Sequence, residues 1–154
     1  VCLEVFRNFK GIEHRLEYVR SVNGVDFIND SKSTTVDSTV WALNNISSPV
    51  LLIAGGRDKG SDYGAISGLI RQRSKNIILI GEARQKIRKA LEGYRHIDEA
   101  ASLKEAVRLA FSRAAAGDCV LLSPMCSSYD MFTNFEERGR AFKEAVFELA
   151  KDDA

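Results

Sequence analysis

Three polar stretches of the sequence carry residue types that could bind an anionic small molecule. They read NDSKSTT at 29–35, GGRDKG at 55–60 and SPMCSSYD at 123–130. Lysine can neutralise a phosphate or carboxylate, while hydroxyl and backbone N–H groups can fix its orientation. The combination favours a ligand site. Aspartate, serine and threonine before a helix are, however, equally typical of an ordinary helix cap.

Each of these stretches follows an apolar segment of strand length, at 25–28, 50–54 and 119–122. Apolar residues at helical spacing (Val36, Val40 and Leu43) follow the first stretch. Strands that are apolar throughout and alternate with helices predict a parallel sheet covered on both faces. Ligands of such sheets bind outside the carboxyl ends of the strands. The three polar stretches should therefore meet along one edge.

Other segments complete the predicted fold. Asn23-Gly24 is a strong hairpin signal, a capping box begins at Ser102, and 94–97 is predicted to be a weak edge strand. We predict one domain over 1–154 with a Rossmann-like α/β fold. Its open, mostly parallel sheet has helices on both faces and one antiparallel edge strand from the N-terminal hairpin. Residues 1–15 lack periodicity and are expected to be partly a lead-in from an upstream domain.

Composition excludes several classes of protein. A formal net charge of +1 over 154 residues provides no basic surface typical of nucleic-acid or anionic-membrane binding. No apolar run reaches transmembrane length. The three cysteines fit neither a disulfide framework nor a metal site, which indicates a cytoplasmic protein without a metal centre of its own. Because the sequence opens on Val1, we expect a piece of a longer polypeptide.

Two familiar nucleotide motifs are absent. Residues 55–60 match neither the G-x-G-x-x-G dinucleotide fingerprint nor the G-x-x-x-x-G-K-[ST] phosphate loop. Only two histidines are present, so a nucleophile–histidine triad has little support. Cys126 lies within a candidate ligand loop, but we interpret it as a packing residue.

Five motifs occur in an order seen in one family: EHRLE at 13–17, NDSKST at 29–34, GGRDKG at 55–60, SPMCSSYDMF at 123–132 and NFEERG at 134–139. In these motifs the chain resembles the C-terminal domain of the D-glutamate-adding Mur ligases of bacterial peptidoglycan synthesis. The resemblance covers nearly the whole chain. One departure is Thr35, which stands where the family usually has asparagine.

The resemblance implies an ATP-dependent, amide-forming activity shared among three domains. ATP phosphorylates the carboxylate of UDP-N-acetylmuramoyl-L-alanine to an acyl phosphate, which the amine of D-glutamate attacks. The C-terminal domain closes over the nucleotide and delivers the amino acid. The phosphate loop, the Mg²⁺ ligands and the UDP-sugar site belong to the other two domains of the polypeptide. The isolated chain is therefore expected to fold but to catalyse nothing.

The resemblance also implies roles for individual residues. Arg15 and Asp30 would bind the nucleotide, with Asp30 on the ribose, and Lys32 would lie near the transferred phosphate. The residues implied to hold the D-glutamate carboxylates are Thr34, Lys59, Ser128 and Phe135, the last mainly through its backbone. Two alternatives stay open: a sibling ligase domain that adds another amino acid, and a non-catalytic α/β module that binds a nucleotide or small anion.

Overall fold

The computed structural model describes residues 11–152, which form one six-stranded sheet and five helices. The strands are β1 (Glu17–Val22), β2 (Val25–Asn29), β3 (Val50–Gly55), β4 (Ser74–Ile80), β5 (Ile97–Glu99) and β6 (Cys119–Leu122). The helices are α1 (Val36–Asn44), α2 (Gly64–Arg73), α3 (Arg84–Ala90), α4 (Leu103–Arg113) and α5 (Phe135–Asp152).

The strand order across the sheet is β1-β2-β6-β3-β4-β5. All neighbouring pairs are parallel except β1 and β2, which pair antiparallel. This confirms the predicted open, mostly parallel sheet with one antiparallel edge strand. The last strand of the chain, β6, lies between β2 and β3, so the three strands that precede the polar stretches are adjacent.

The hairpin turn follows from two residues with left-handed backbone. Asn23 has a φ of 50° and Gly24 a φ of 80°, and Val22 pairs directly with Val25 across the turn. A two-residue turn with both φ angles positive matches the right-handed twist of its strands, and asparagine followed by glycine tolerates it best. The predicted hairpin is confirmed.

Helices cover both faces of the sheet. Helices α1 to α3 bury Leu43, Ile66 and Ile87 in one apolar cluster with alternate strand residues such as Leu52. Helices α4 and α5 form a second cluster on the opposite face, where Leu51, Ile53, Val107, Phe142 and Val146 are buried. Because each central strand is buried on both sides, its sequence is apolar throughout rather than alternating.

The predicted edge strand at 94–97 is wrong in its bounds, because β5 runs from Ile97 to Glu99 and pairs with residues 77–79 of β4. The polar residues Asp98 and Glu99 concealed this strand. Of the expected lead-in, residues 1–10 lie outside the described part of the chain. His14 and Leu16 are buried, so the chain already packs against the domain from residue 14.

Candidate functional site

Three loops meet at the carboxyl edge of the sheet. We call residues 30–35 the first loop, residues 56–63 the second loop and residues 123–134 the third loop; they follow β2, β3 and β6. Because these strands are adjacent and parallel, the loops leave the sheet side by side. Four backbone hydrogen bonds of 2.8–3.0 Å join the loops and strand ends: Asp30 N to Leu122 O, Met125 N to Ser33 O, Gly55 N to Pro124 O and Arg57 N to Ser127 O.

Asp30 is the buried carboxylate of this edge, with 2% of its surface exposed. Its Oδ1 accepts a hydrogen bond from Leu16 N (3.1 Å), and its Oδ2 accepts from the hydroxyls of Ser33 (2.5 Å) and Ser123 (2.8 Å). Burial raises the pKa of Asp30 to about 6, although these hydrogen bonds and the charge of Arg15 oppose the rise. A carboxylate has roughly four lone-pair positions, so one acceptor position of Asp30 is left for a ligand.

A cavity of about 330 Å³ adjoins Asp30. It brings Arg15 and Asp30 together, the two residues expected to bind a nucleotide, and Ser33 and Asp37 also line it. The aromatic wall of the cavity is Trp41 of α1, which is 56% exposed. Sequence analysis missed Trp41, because a tryptophan within a helix is more often part of the core. Its position next to the polar residues of a helix start was the available signal.

Lys32 and Thr34 lie in the first loop, between Asp30 and the start of α1. Lys32 N donates to His14 O (3.0 Å) and Thr34 N donates to Lys32 O (2.9 Å), so the backbone at both positions is fixed while both side chains remain half-buried. Thr35 caps α1, since its hydroxyl accepts from Ser38 N (3.2 Å). The cap reading and the ligand reading of this stretch are therefore compatible: Thr35 serves the helix, and the residues before it line the site.

The second loop begins with a close approach between backbones and then enters solvent. Gly56 has a φ of 140°, and a Cβ there would collide with the carbonyl of Ser127, so the joining of the two loops requires glycine. Arg57 and Lys59 are exposed. Asp58 holds the loop together by accepting from Gly60 N (3.1 Å) and from the Tyr63 hydroxyl (3.0 Å).

The third loop leads into α5 and presents the two remaining predicted residues. Ser128 is buried, and its carbonyl accepts from the N–H groups of Met131 (3.1 Å) and Phe132 (2.8 Å). Phe135 is the first residue of α5, so its N–H lies at the positive end of the helix without an intrahelical partner. Its carbonyl accepts from the Ser31 hydroxyl (2.7 Å), which ties α5 to the first loop.

Arg138 of α5 is a buried residue that connects the first loop with the third loop. Its side chain is 1% exposed and donates to Ser31 Oγ (3.0 Å), to Ser31 O (2.8 Å) and to Cys126 O (3.0 Å). Burial lowers the pKa of Arg138 to about 10, so the guanidinium remains charged at neutral pH. Arg138 belongs to a matched motif, but its buried bridging position was missed because a charged residue in a helix usually faces solvent.

Asp130, a half-buried residue at this edge, carries a second buried acceptor atom that sequence analysis did not single out. Its Oδ2 accepts from Glu82 N (2.9 Å), which joins the third loop to the end of β4. Its Oδ1 is buried and has no hydrogen-bond partner among residues 11–152. An amine or hydroxyl of a ligand would be a suitable donor for this oxygen.

Neither a metal cluster nor a membrane span is found in the described part of the chain. Within residues 11–152, no three side chains of the His, Cys, Asp or Glu type lie close enough to hold a metal ion together. None of the described helices combines the length and the apolar character needed to cross a bilayer.

The chain is similar to known proteins of one family. The family described as "Mur ligase, glutamate ligase domain" matches residues 14–126. UDP-N-acetylmuramoylalanine–D-glutamate ligase of Chloroherpeton thalassium is 51% identical over 142 residues, which cover 92% of this chain and 30% of that protein. The same-named protein of Caldicellulosiruptor bescii is 48% identical over 148 residues, covering 95% of this chain and 32% of its own length. The chain thus spans about a third of the length of these relatives.

A solved structure shares the fold at low sequence identity. The MurF ligase of Thermotoga maritima, solved in complex with ADP, superposes with a TM-score of 0.60 at 12% identity, covering 92% of this chain and 33% of the other. At that identity, the likeness establishes the fold alone.

Proposed function

Because this chain belongs to the Mur ligase family, whose glutamate ligase domain it matches over most of its length, we propose that it delivers D-glutamate as the C-terminal domain of an ATP-dependent ligase. The acceptor would be UDP-N-acetylmuramoyl-L-alanine, activated as an acyl phosphate. The observation that carries the proposal is the meeting of the three loops, with Asp30, Lys32, Lys59 and Ser128, at one edge of the sheet. The N-terminal and central domains of the longer polypeptide would complete the site.

The cavity beside Asp30 supports a nucleotide site. A ribose hydroxyl would donate to the free acceptor position of Asp30, and Arg15 would neutralise phosphate charge. Trp41 offers a ring face for a purine base at the same cavity. The MurF ligase of similar fold was solved with ADP, which agrees with this assignment.

The remaining predicted residues fit the phosphoryl and amino-acid steps. Lys32 would meet the charge that develops on the transferred phosphate, where a fixed cation stabilises the transition state. The two carboxylates of D-glutamate require several hydrogen-bond donors. In this proposal the donors are Thr34, Lys59, Ser128 and the N–H of Phe135. Held in this way, the amine is oriented towards the acyl phosphate.

In this proposal Mg²⁺ is held mainly by the central domain of the longer polypeptide. Asp30 is the buried carboxylate nearest the proposed nucleotide, and it already accepts three hydrogen bonds from protein groups. The described residues supply no group of ligands around it. We also assign the whole enzyme to the cytoplasm, where ATP is available.

The experiment compares the 154-residue chain with the full ligase that contains it. Each is mixed with ATP, D-glutamate and UDP-N-acetylmuramoyl-L-alanine, and phosphate release is measured. We expect turnover from the full ligase and none from the isolated chain. Turnover by the isolated chain would contradict the division of the site between domains, and absence of turnover from the full ligase would contradict the function.

Amino-acid competition on the full ligase tests the choice of substrate. D-glutamate should support turnover, and L-alanine, a diaminopimelate and L-lysine should not. Preference for any of these would reassign the chain to a sibling ligase. Tight nucleotide binding by the isolated chain with no ligase activity from the full protein would instead favour a binding module, since a closing domain should bind weakly until its partner completes the site.

A further inference from the structure

A second and larger cavity lies at the opposite end of the sheet. Its volume is about 550 Å³, within the range of small-molecule sites. It is lined by the first residues of β4 and β5, including Ser74 and Ile97, and by the segment that leads into β5. Because the loops described above leave the carboxyl ends of the strands, this amino-end cavity is separate from the proposed ligase site.

The amino-end cavity is strongly basic. Three arginines and one lysine line it, together with the single carboxylate Asp98. Arg113 neutralises Asp98 through two hydrogen bonds of 3.2 and 3.1 Å, and Lys75 pairs with Asp118 at 2.7 Å. The other two cations, Arg71 and Arg95, form no ion pair within residues 11–152. Their charge is therefore available to a ligand in a chain whose net charge is only +1.

Arg71 is held in position before any ligand arrives. Its Nη2 donates to Glu92 O (2.7 Å), and its guanidinium lies over the ring of Tyr94 at 5.8 Å from the centroid. The Tyr94 hydroxyl donates to Ser74 O (2.7 Å), and the ring of His96 packs edge-on against it. A guanidinium that is fixed in this way loses little conformational entropy when it binds an oxyanion.

Two polar groups in the cavity wall have unsatisfied hydrogen-bonding capacity. Ser74 is 7% exposed and Asn76 is 8% exposed, and both line the cavity. Ser74 Oγ and Asn76 Oδ1 are buried without a partner among the described residues, while Asn76 Nδ2 donates to Asp98 Oδ2 (3.0 Å). Buried polar atoms are normally paired. A ligand hydroxyl could reach these atoms after a small rotation of either side chain.

We propose that the amino-end cavity binds a small phosphorylated molecule that also carries hydroxyl groups, such as a sugar phosphate. Arg71 and Arg95 bind the phosphate, whose oxygens match the planar fork of a guanidinium. Ser74 and Asn76 exchange hydrogen bonds with the hydroxyls, and the ring of Tyr94 packs against the carbon skeleton. This site is independent of the ligase function and of the nucleotide cavity beside Asp30.

The test is a titration of the nitrogen-15-labelled 154-residue chain with D-glucose 6-phosphate, followed by amide chemical shifts. We expect saturable shifts confined to residues 71–76 and 94–98, weaker binding of inorganic phosphate, and no shifts with glucose. Arg95→Gln should weaken binding by roughly tenfold or more, because it removes a charge-assisted contact from an exposed, unpaired side chain. Lys89→Gln is the control, since it removes an exposed charge from α3 outside the cavity.

Each contrary result has a defined meaning. Absence of saturable shifts in both segments, or an equal loss of affinity in Lys89→Gln, would overturn the site. Equal affinities for inorganic phosphate and the sugar phosphate would overturn the hydroxyl contacts of Ser74 and Asn76. Shifts induced by a polyglutamate peptide but not by the phosphates would replace the proposal with an acidic protein partner.

Discussion

The first loop and the second loop leave the same edge of the sheet, but different kinds of contact hold them. In the first loop, Asp30 accepts from Ser123, 93 residues away, and Ser31 accepts from Arg138, 107 residues away. In the second loop, Arg57 N donates to Ser127 O at the buried start, and Asp58 accepts from groups two and five residues further along and from the exposed Lys86 of α3. The distant partners of the first loop are buried, whereas the exposed part of the second loop is held by its own turn and by one surface ion pair.

This difference suggests a division of labour in the proposed ligase. The first loop sets buried groups rigidly around the nucleotide and the transferred phosphate, where orientation decides the rate. The second loop presents Lys59 to solvent, where a free cation can capture a carboxylate substrate. Substitutions in the first loop and its supports should therefore affect stability and kcat, and those in the second loop should affect KM.

The largest effect is expected when Arg138 is replaced. Arg138→Met removes three hydrogen bonds from a buried charged group and leaves Ser31 and Cys126 O with unsatisfied acceptors. The unfolding free energy of the 154-residue chain should fall by about 3–5 kcal/mol in urea denaturation. Arg140→Met, an exposed position on the same helix, should change it by less than about 0.5 kcal/mol. Equal changes in the unfolding free energy at the two positions would contradict the role of Arg138 in supporting the first loop.

The next effect concerns catalysis and rests on the proposed role of Lys32. Lys32→Ala in the full ligase should lower kcat by about 10²–10³-fold with little change in the KM for ATP, if its charge acts on the transition state. Lys104→Ala, on the exposed side of α4, is the matched control. A normal kcat in Lys32→Ala would show that Lys32 does not stabilise the transition state.

The buried carboxylate of the first loop should be visible in the pH dependence of stability. Because burial raises the pKa of Asp30 from 3.8 to about 6, the folded protein binds this proton more tightly than the unfolded chain does. The contribution of Asp30 is therefore fully present below pH 3.8 and is lost as pH rises through 6. The expected loss is about 3 kcal/mol. The hydrogen bond from Lys86 lowers the pKa of Asp58, so Asp58 should not contribute such a loss.

Asp30→Asn is the variant that isolates this effect. The difference in unfolding free energy between Asp30→Asn and the unmodified chain should shift in favour of the variant between pH 4 and pH 7. Asp58→Asn is the control from the second loop. A difference for Asp30→Asn that stays constant with pH would mean that the carboxyl is not destabilised by burial.

The smallest effect is expected in the second loop. Lys59→Ala in the full ligase should raise the KM for D-glutamate by roughly 10–100-fold, the value of one charge-assisted contact, and spare ATP binding. Arg57→Ala is an informative neighbour, because the exposed Arg57 side chain already lies 3.6 Å from Glu82. An unchanged KM for D-glutamate in Lys59→Ala would remove the second loop from the amino-acid site and end the proposed division of labour.

Local patterns were sufficient to predict most of the elements and which loops follow the adjacent strands of the sheet. The Asn23-Gly24 turn, the apolar strand at 119–122 and the cap at Ser102 each depend on neighbours a few residues apart, and all are present in the structure. The fold class followed because fully buried strands that alternate with helices have few arrangements. The edge strand was predicted with the wrong bounds, at 94–97 instead of 97–99, because two of its three residues are acidic.

The amino-acid sequence by itself determined the order of strands and helices and the polar content of the loops, since backbone preference and hydrophobic period act over short distances. Only the tertiary structure decided that β6 lies between β2 and β3, that Arg138 is buried beneath the first loop, and that Arg71 and Arg95 meet at an amino-end cavity. These facts depend on contacts between residues that are far apart in the chain. The sequence does not distinguish a buried arginine from an exposed one, because the environment of an arginine depends on the groups that the fold places around it.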